Sequence, residues 1–261
     1  MTKIQNLWPL IAIAFGLLAI PGFISGGHTT AAAAYQDEGR VRDEVAQDYQ
    51  LNSGARVEVY SINGPVEIES GPAGTAHVHI IRTAPTQSDL DRRRVLIDAS
   101  PAGLEVHEEK NRSEARVNTH VILTVPSSVN LSVHGVNGAV KASNIEGQVN
   151  VNGVNGRVQI GQALQASTIS GINGAVVVNL VQLGQQGLHI NGINGAIELH
   201  FSESLNANLA VDGVSGGVYT EVPNMTVQGR FSASNFRAQL GSGGPTISLS
   251  GINGRVHITG N

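Results

Sequence analysis

From Leu131 onward, apolar and polar residues alternate, with an interruption that returns. One copy runs Leu188, Ile190, Gly192, then Ile193, Gly195, Ile197 and Leu199; another runs Ile247, Leu249, Gly251, then Ile252, Gly254, Val256 and Ile258. Period-two alternation predicts strands with one buried face. The alternation slips by one residue at Gly-Ile, and such a slip would turn the second strand inside out unless the backbone bends there. Glycine permits that bend, because it reaches positive φ without a Cβ clash. The Gly-Ile-Asn-Gly unit is therefore predicted to be a corner, with both flanking strands keeping their apolar side inward.

The corner recurs at Gly135-Val136-Asn137-Gly138, Gly153-Val154-Asn155-Gly156, Gly171-Ile172-Asn173-Gly174, Gly192-Ile193-Asn194-Gly195, Gly213-Val214-Ser215-Gly216 and Gly251-Ile252-Asn253-Gly254, with an early copy at Ile62-Asn63-Gly64. The Asn or Ser markers step by 18, 18, 21 and 21 residues and then by 38. A worn copy at Ala233-Ser234-Asn235-Phe236 is read into that last gap, giving seven coils from Asn137 to Asn253. A weaker half-period shows at Asn144-Ile145-Glu146-Gly147. A repeat of roughly 20 residues marks units that bury their apolar faces only by stacking on one another. The fold class is thus expected to be all-β: a β-helix-like β-solenoid of stacked Gly-Ile-Asn-Gly repeats with an irregular N-terminal β cap. Ile172, Ile193, Ile252, Val158, Val176, Ile197 and Val256 should lie in buried rows, and the Asn side chains should form an amide ladder at about 4.8 Å spacing. The competing architecture is an antiparallel meander, since Asn-Gly also favours two-residue hairpins. It would leave Ile252 and its equivalents on the polar face.

Ahead of the repeats the strands are irregular. Leu51–Glu69 reads as a strand pair, Thr75–Arg82 as a strand, Val95–Ala99 and Leu104–Glu108 as a hairpin, and Arg116–Val125 as another strand. Ala84–Arg94, with Pro85, reads as a loop or single helical turn. The mixed charges of residues 34–52 read as a solvated linker or short cap. Three segments are expected: a signal peptide over 1–34, an irregular β region over 35–130 and the repeats over 131–261.

The N-terminal segment carries Lys3, an apolar run from Leu10 to Ile20, a break at Pro21-Gly22 and small residues through Ala31-x-Ala33, the layout of an export signal. An uncleaved anchor over Trp8–Ile24 is the other reading, and it alone would bring the membrane in as a partner. The chain has 261 residues, no cysteine and a formal net charge of −4. Disulfides, thiol catalysis and thiolate metal sites are thereby excluded, and nucleic acid is not an expected partner.

The repeats from Val136-Asn137-Gly138 to Ile252-Asn253-Gly254 resemble bacterial adhesin-like families, notably the head GIN domain, named after this triplet, and a sister family of exported adhesin-like proteins. Residues 57–68 and Val125-Pro126 also match the usual opening of that sister family. The resemblance spans about residues 41–261. It implies a β-helix-like fold and a location outside the cytoplasm, in the periplasm, at the cell surface or beyond it, and it implies little chemistry.

Chemistry is sparse. His77 and His79 share one strand face, where a third ligand would be needed to hold a metal. His189, His200 and His257 read as surface residues, and Asp212 is the one carboxylate near a corner, too few for a calcium ladder. Glu146, Glu198, Glu203, Asp212 and Glu221 do not recur as an acid–base pair, and Arg92-Arg93-Arg94 beside Asp89 and Asp91 reads as a solvated turn. No catalytic, cofactor-binding or metal residue is assigned, no cofactor is expected, and the chain is read as no enzyme. The expected function is a non-enzymatic adhesin-like or envelope scaffold protein that binds an envelope protein or glycan through its side faces. Polysaccharide binding or processing is the alternative, and an outward cluster of Tyr60 and Tyr219 with carboxylates would favour it. The last strand, Arg255–Thr259, is expected to present an unpaired edge able to form an end-to-end homodimer.

Overall fold

The computed structural model describes residues 36–37, 40–109, 115–161, 167–223 and 225–260; the predicted signal or anchor lies outside them. In chain order the strands are β1 (Gln36–Asp37), β2 (Arg40–Gln50), β3 (Arg56–Tyr60), β4 (Val66–Gly71), β5 (Thr75–Ala84), then helix α1 (Gln87–Arg92), β6 (Val95–Ser100), β7 (Gly103–Glu108), β8 (Asn118–Pro126), β9 (Asn130–Val136), β10 (Val140–Ser143), β11 (Val149–Val154), β12 (Val158–Gly161) and β13 (Ser167–Asn173). They continue as β14 (Val176–Leu180), β15 (Leu188–Asn194), β16 (Ile197–Phe201), β17 (Ala207–Val214), β18 (Val218–Thr220), β19 (Met225–Ser232), β20 (Asn235–Leu240), β21 (Thr246–Asn253) and β22 (Val256–Gly260).

These strands form two 11-stranded sheets. Sheet A has the order β1-β2-β5-β8-β4-β10-β12-β14-β16-β22-β18, and sheet B the order β19-β20-β17-β21-β15-β13-β11-β9-β3-β7-β6. Within the repeats the chain alternates between them: β13 lies in sheet B, the corner follows, and β14 lies in sheet A. Equivalent strands of different repeats pair in parallel, as in Ile172↔Ile193 and Val176↔Ile197. Parallel pairing excludes the meander, whose strands would run antiparallel. Val158, Ile172, Val176, Ile193, Ile197, Ile252 and Val256 are all 1% exposed or less and belong to one apolar core shared by both sheets.

Each position of the corner has its own cause. The first glycine takes φ between +59° and +68° in the repeats, the left-handed region that side chains with a Cβ resist. In the early copy Ser61 holds the same bend at φ 56°. The second glycine is required by crowding: a Cβ on Gly138 would lie 2.2 Å from the Gly64 carbonyl oxygen, and one on Gly195 2.2 Å from that of Gly174. The half-period is the opposite corner of the stack, where Ile145 is buried and a Cβ on Gly147 would lie 2.0 Å from the Val129 carbonyl oxygen.

Three expectations are corrected. Asn235 does not begin a coil: β20 runs antiparallel to both β17 and β19, so Ala233–Phe236 is the bend of a hairpin. The last strand pair is not terminal, because β21 lies between β15 and β17, and β22 between β16 and β18. With both its edges hydrogen-bonded, β22 has none free for the end-to-end pairing predicted through Arg255–Thr259; the outer strands at that end are β18 and β19. Finally, residues 40–50 are an 11-residue strand antiparallel to β5, not a linker. Its mixed charges are those of a partly exposed strand close to a sheet edge, where like-charged or polar side chains discourage further pairing.

The segment read as a loop or single turn contains α1. Thr86 caps it, accepting a bond from the Asp89 backbone N–H at 3.2 Å, and Leu90 anchors it. The strands β3 and β4 extend both sheets in the register of the repeats, with Val59↔Val133 and Ile68↔Ala142.

Candidate binding faces and the corner ladder

The corner between the sheets carries a one-directional amide ladder. Asn137 Nδ2 donates to Asn63 Oδ1 (2.8 Å), Asn155 to Asn137 (3.0 Å), Asn173 to Asn155 (3.1 Å), Asn194 to Asn173 (3.1 Å) and Asn253 to Asn194 (3.0 Å). The Ser215 hydroxyl ends it by donating to Asn253 Oδ1 at 3.1 Å, and Asn63 Nδ2 donates to the Val117 carbonyl at 2.6 Å at the other end. Each rung uses one amide N–H and one carbonyl on its neighbours, so the ladder joins adjacent repeats rather than offering a free row of groups.

The outer face of sheet B has a different character. Two rows of outward side chains run across β9, β11, β13, β15 and β21. One is Ser132, Asn150, Thr168, His189 and Ser248; the other is His134, Asn152, Ser170, Asn191 and Ser250. Neither row contains an Asp, Glu, Lys or Arg. The field is bounded by Glu58 and Tyr60 on β3 and by Asp212 on β17. Asn152 donates to the Ser170 hydroxyl at 2.8 Å. Asn150 and Asn191 are exposed and Thr168, Ser248 and Ser250 partly so, and none of the five makes a side-chain hydrogen bond to the described residues.

At one end of this face, Tyr60 is sandwiched between His107 and His134, with ring centroids 4.5 and 4.9 Å apart and planes within 5° of parallel. Its hydroxyl donates to Glu105, and Arg56 bonds Glu58 at 2.6 Å beside it. Burial, with the Glu105 carboxylate as the next cause, pushes the Tyr60 phenol up to about 12. Both faces of the ring are covered by imidazoles. Tyr219 is 54% exposed and lies on β18 of the other sheet, at the far end of the stack, under the Arg255 guanidinium at 5.2 Å. The structure therefore does not bring Tyr60 and Tyr219 together.

Sheet A presents charges on its outer face. His77 meets Asp48 at 2.5 Å and His79 meets Glu44, so the two imidazoles predicted to share a face are each held by a different carboxylate. The contact with His79 lowers the Glu44 carboxyl below its usual range. His120 pairs with Glu67 at 2.8 Å and Lys141 with Glu69 at 3.3 Å. Further along, His200 bonds the Thr259 hydroxyl at 2.8 Å and His257 lies 3.5 Å from Glu221. His189 is exposed on sheet B. Among the described residues no three His, Asp or Glu side chains gather as a metal site. A recess lined by Glu146, Val181, Leu183, Ser204 and Asn206 adds no second titratable group to Glu146.

Two buried charge pairs were not foreseen. Arg93 pairs with Glu108, which is 2% exposed, so the Arg92–Arg94 run is not a solvated turn throughout. Arg82, 6% exposed, binds Asp43 in two-pronged fashion and also bonds the carbonyls of Leu90 and Arg93. Burial pushes the Asp43 carboxyl up against the pull of Arg82. Both pairs tie α1 and its flanks to the strands.

No family model and no curated protein matches the chain. Among solved structures it is similar to a putative cell adhesion protein from Clostridium sporogenes, at 13% identity and a TM-score of 0.42, covering 84% of this chain and 100% of that one. A putative adhesin from Bacteroides fragilis gives 13% identity and 0.32 over 84% and 97% of the two chains. One from Parabacteroides merdae gives 12% and 0.31 over 84% and 96%. Likeness at this level carries no functional weight, which falls on the faces themselves.

Proposed function

We propose that the chain is an exported, non-enzymatic adhesin-like or envelope scaffold protein, built as a β-solenoid, that binds a component of the cell envelope through its side faces. The observation that carries this reading is the register of the outward residues. Parallel stacking repeats the same outward positions from strand to strand on both sheets, so each face offers many equivalent contacts to an extended partner. Many weak equivalent contacts give avidity that no single one supplies. Export rests on the Lys3, Leu10–Ile20 and Ala31-x-Ala33 pattern of the sequence.

The test is retention of the purified protein on washed envelope fragments of the producing cell. Single charge-introducing substitutions are placed on the outer face of sheet A (Gln159→Lys), on that of sheet B (Thr168→Lys) and at the hairpin end (Gln228→Lys). Retention that falls with a face substitution and survives the end substitution supports the reading. No retention, or loss only with the end substitution, overturns it.

A further inference from the structure

Taking the side-face reading as its basis, we propose that the outer face of sheet B from β9 to β21 is a docking surface for a neutral polysaccharide lying along the stack.

The first reason is charge. The chain carries 36 Asp, Glu, Lys and Arg residues, yet none occupies the ten outward positions of the two rows across β9, β11, β13, β15 and β21. Of the ten corresponding outward positions of sheet A, on β10, β12, β14, β16 and β22, Lys141 and Glu198 are charged. A solvated face normally mixes charges of both signs. An anionic polymer would need cations on the face, and the rows hold no Lys or Arg. An apolar partner would take the Asn, Ser and Thr groups out of water and leave their donors and acceptors unpaired.

The second reason is hydrogen-bonding type. Each Asn amide and each Ser or Thr hydroxyl both donates and accepts, and so does every sugar hydroxyl. Asn150, Thr168, Asn191, Ser248 and Ser250 keep these groups free of partners among the described residues. A neutral glycan can exchange their bonds to water for bonds to its hydroxyls with no ion to desolvate. The corner ladder has the same amide chemistry, but its rungs are committed to one another.

The third reason is geometry. Neighbouring strands lie about 4.8 Å apart, so five strands span about 19 Å, and a polymer of repeating units meets the same two side-chain rows on every strand. Recognition proceeds without an aromatic platform, because the imidazoles of His107 and His134 cover both faces of Tyr60. Each sugar is then held weakly, and binding grows with chain length.

The experiment uses the whole chain. It is sedimented with microcrystalline cellulose and with chitin as neutral probes, and titrated with gluco-oligosaccharides of increasing length; soluble alginate serves as the anionic comparison. The expected result is co-sedimentation with a neutral glycan that is insensitive to salt, affinity that rises with oligosaccharide length, and at least a tenfold loss in Thr168→Lys and in Asn191→Glu. Circular dichroism checks that both variants keep their strands, and Gln159→Lys on sheet A should bind as the parent does. No binding to either neutral glycan, preference for alginate, or unchanged binding in both sheet B variants overturns the proposal. If envelope fragments still retain the protein and retention falls with Gln159→Lys alone, the side-face function stands and the glycan surface does not; if they retain nothing, the side-face function falls too.

Discussion

Two glycines of the corner do different work, and exchanging each for alanine separates them. In Gly138→Ala the new Cβ would sit 2.2 Å from the Gly64 carbonyl oxygen, where real Cβ atoms keep at least 3.0 Å. The two coils must move apart by about 0.8 Å, because the obstacle is backbone and cannot rotate away. That movement stretches three bonds across the same seam: Asn137 N–H to the Ile62 carbonyl, Val66 N–H to the Ala139 carbonyl, and Asn137 Nδ2 to Asn63 Oδ1, each 2.8 Å long. At about 3.6 Å they no longer bond. At about 1 kcal/mol each, the loss comes to about 3 kcal/mol, the upper part of the usual range for overpacking. Gly153→Ala is the control. There φ is +63° and the nearest atom to the new Cβ is the Gly135 nitrogen at 3.6 Å, so the penalty is the left-handed backbone alone, about 1–2 kcal/mol, partly offset by the lower entropy of the unfolded alanine chain. Urea denaturation of both variants is the assay. A Gly138→Ala no less stable than Gly153→Ala would refute the close-approach account of the second glycine.

Ile193→Ala, which empties a position 1% exposed between Ile172 and Ile252, should destabilise by about 2–5 kcal/mol; a cost below 1 kcal/mol by denaturant melting would contradict its place in the core. Ser167 is buried in a row with Val149 and Leu188, and its hydroxyl has no partner among the described residues, so Ser167→Ala should raise stability by about 1 kcal/mol, and a lower midpoint would speak against that environment. The Tyr60 phenol should ionise at about 12, against about 10 for an unperturbed tyrosine. Since its folded value is raised, its contribution to stability is complete below pH 10 and is lost as pH rises through 12. Absorbance at high pH should lose its latest tyrosine step in Tyr60→Phe, and a parent protein whose tyrosines all titrate near 10 would count against the Glu105 contact.

Much of this was legible in the residues because it repeats. The one-residue slip at Gly-Ile located the corners, and the alternation on either side named the buried rows that Ile172, Ile193 and Ile252 occupy. Local pattern says little about which coil stacks on which. The insertion of β21 and β22 between the strands of residues 188–201 and 207–220 is a choice among similar apolar faces, made by contacts distant in sequence. The hairpin of β19 and β20 was mistaken for a worn copy because Asn235 imitates the marker. The absence of glycine at both corner positions, where Ala233 and Phe236 stand, was the available clue, since both corner glycines have a steric cause. The strand at residues 40–50 hid behind its charges, and the pairs Arg93–Glu108 and Arg82–Asp43 join residues too far apart for spacing to suggest. Of the outer face of sheet B, the alternation could supply the outward positions, but its freedom from charge emerges only when strands from five repeats are set side by side in their spatial order.

That order can be tested directly, because the chain has no cysteine to interfere. Asn194 and Asn253 are partners across adjacent strands, with Asn253 Nδ2 at 3.0 Å from Asn194 Oδ1, a spacing compatible with the Cα separation of about 4.4–6.8 Å that a disulfide needs. Asn194 and Ser215 lie two strands apart, about 9.6 Å. The double variant Asn194→Cys with Asn253→Cys should form an intramolecular disulfide on mild oxidation, read by mass spectrometry of the peptides, while Asn194→Cys with Ser215→Cys should stay reduced. The opposite outcome, a ready link from residue 194 to 215 and none to 253, would mean that the coils stack in sequence order, and it would break the uncharged face between Asn191 and Ser250.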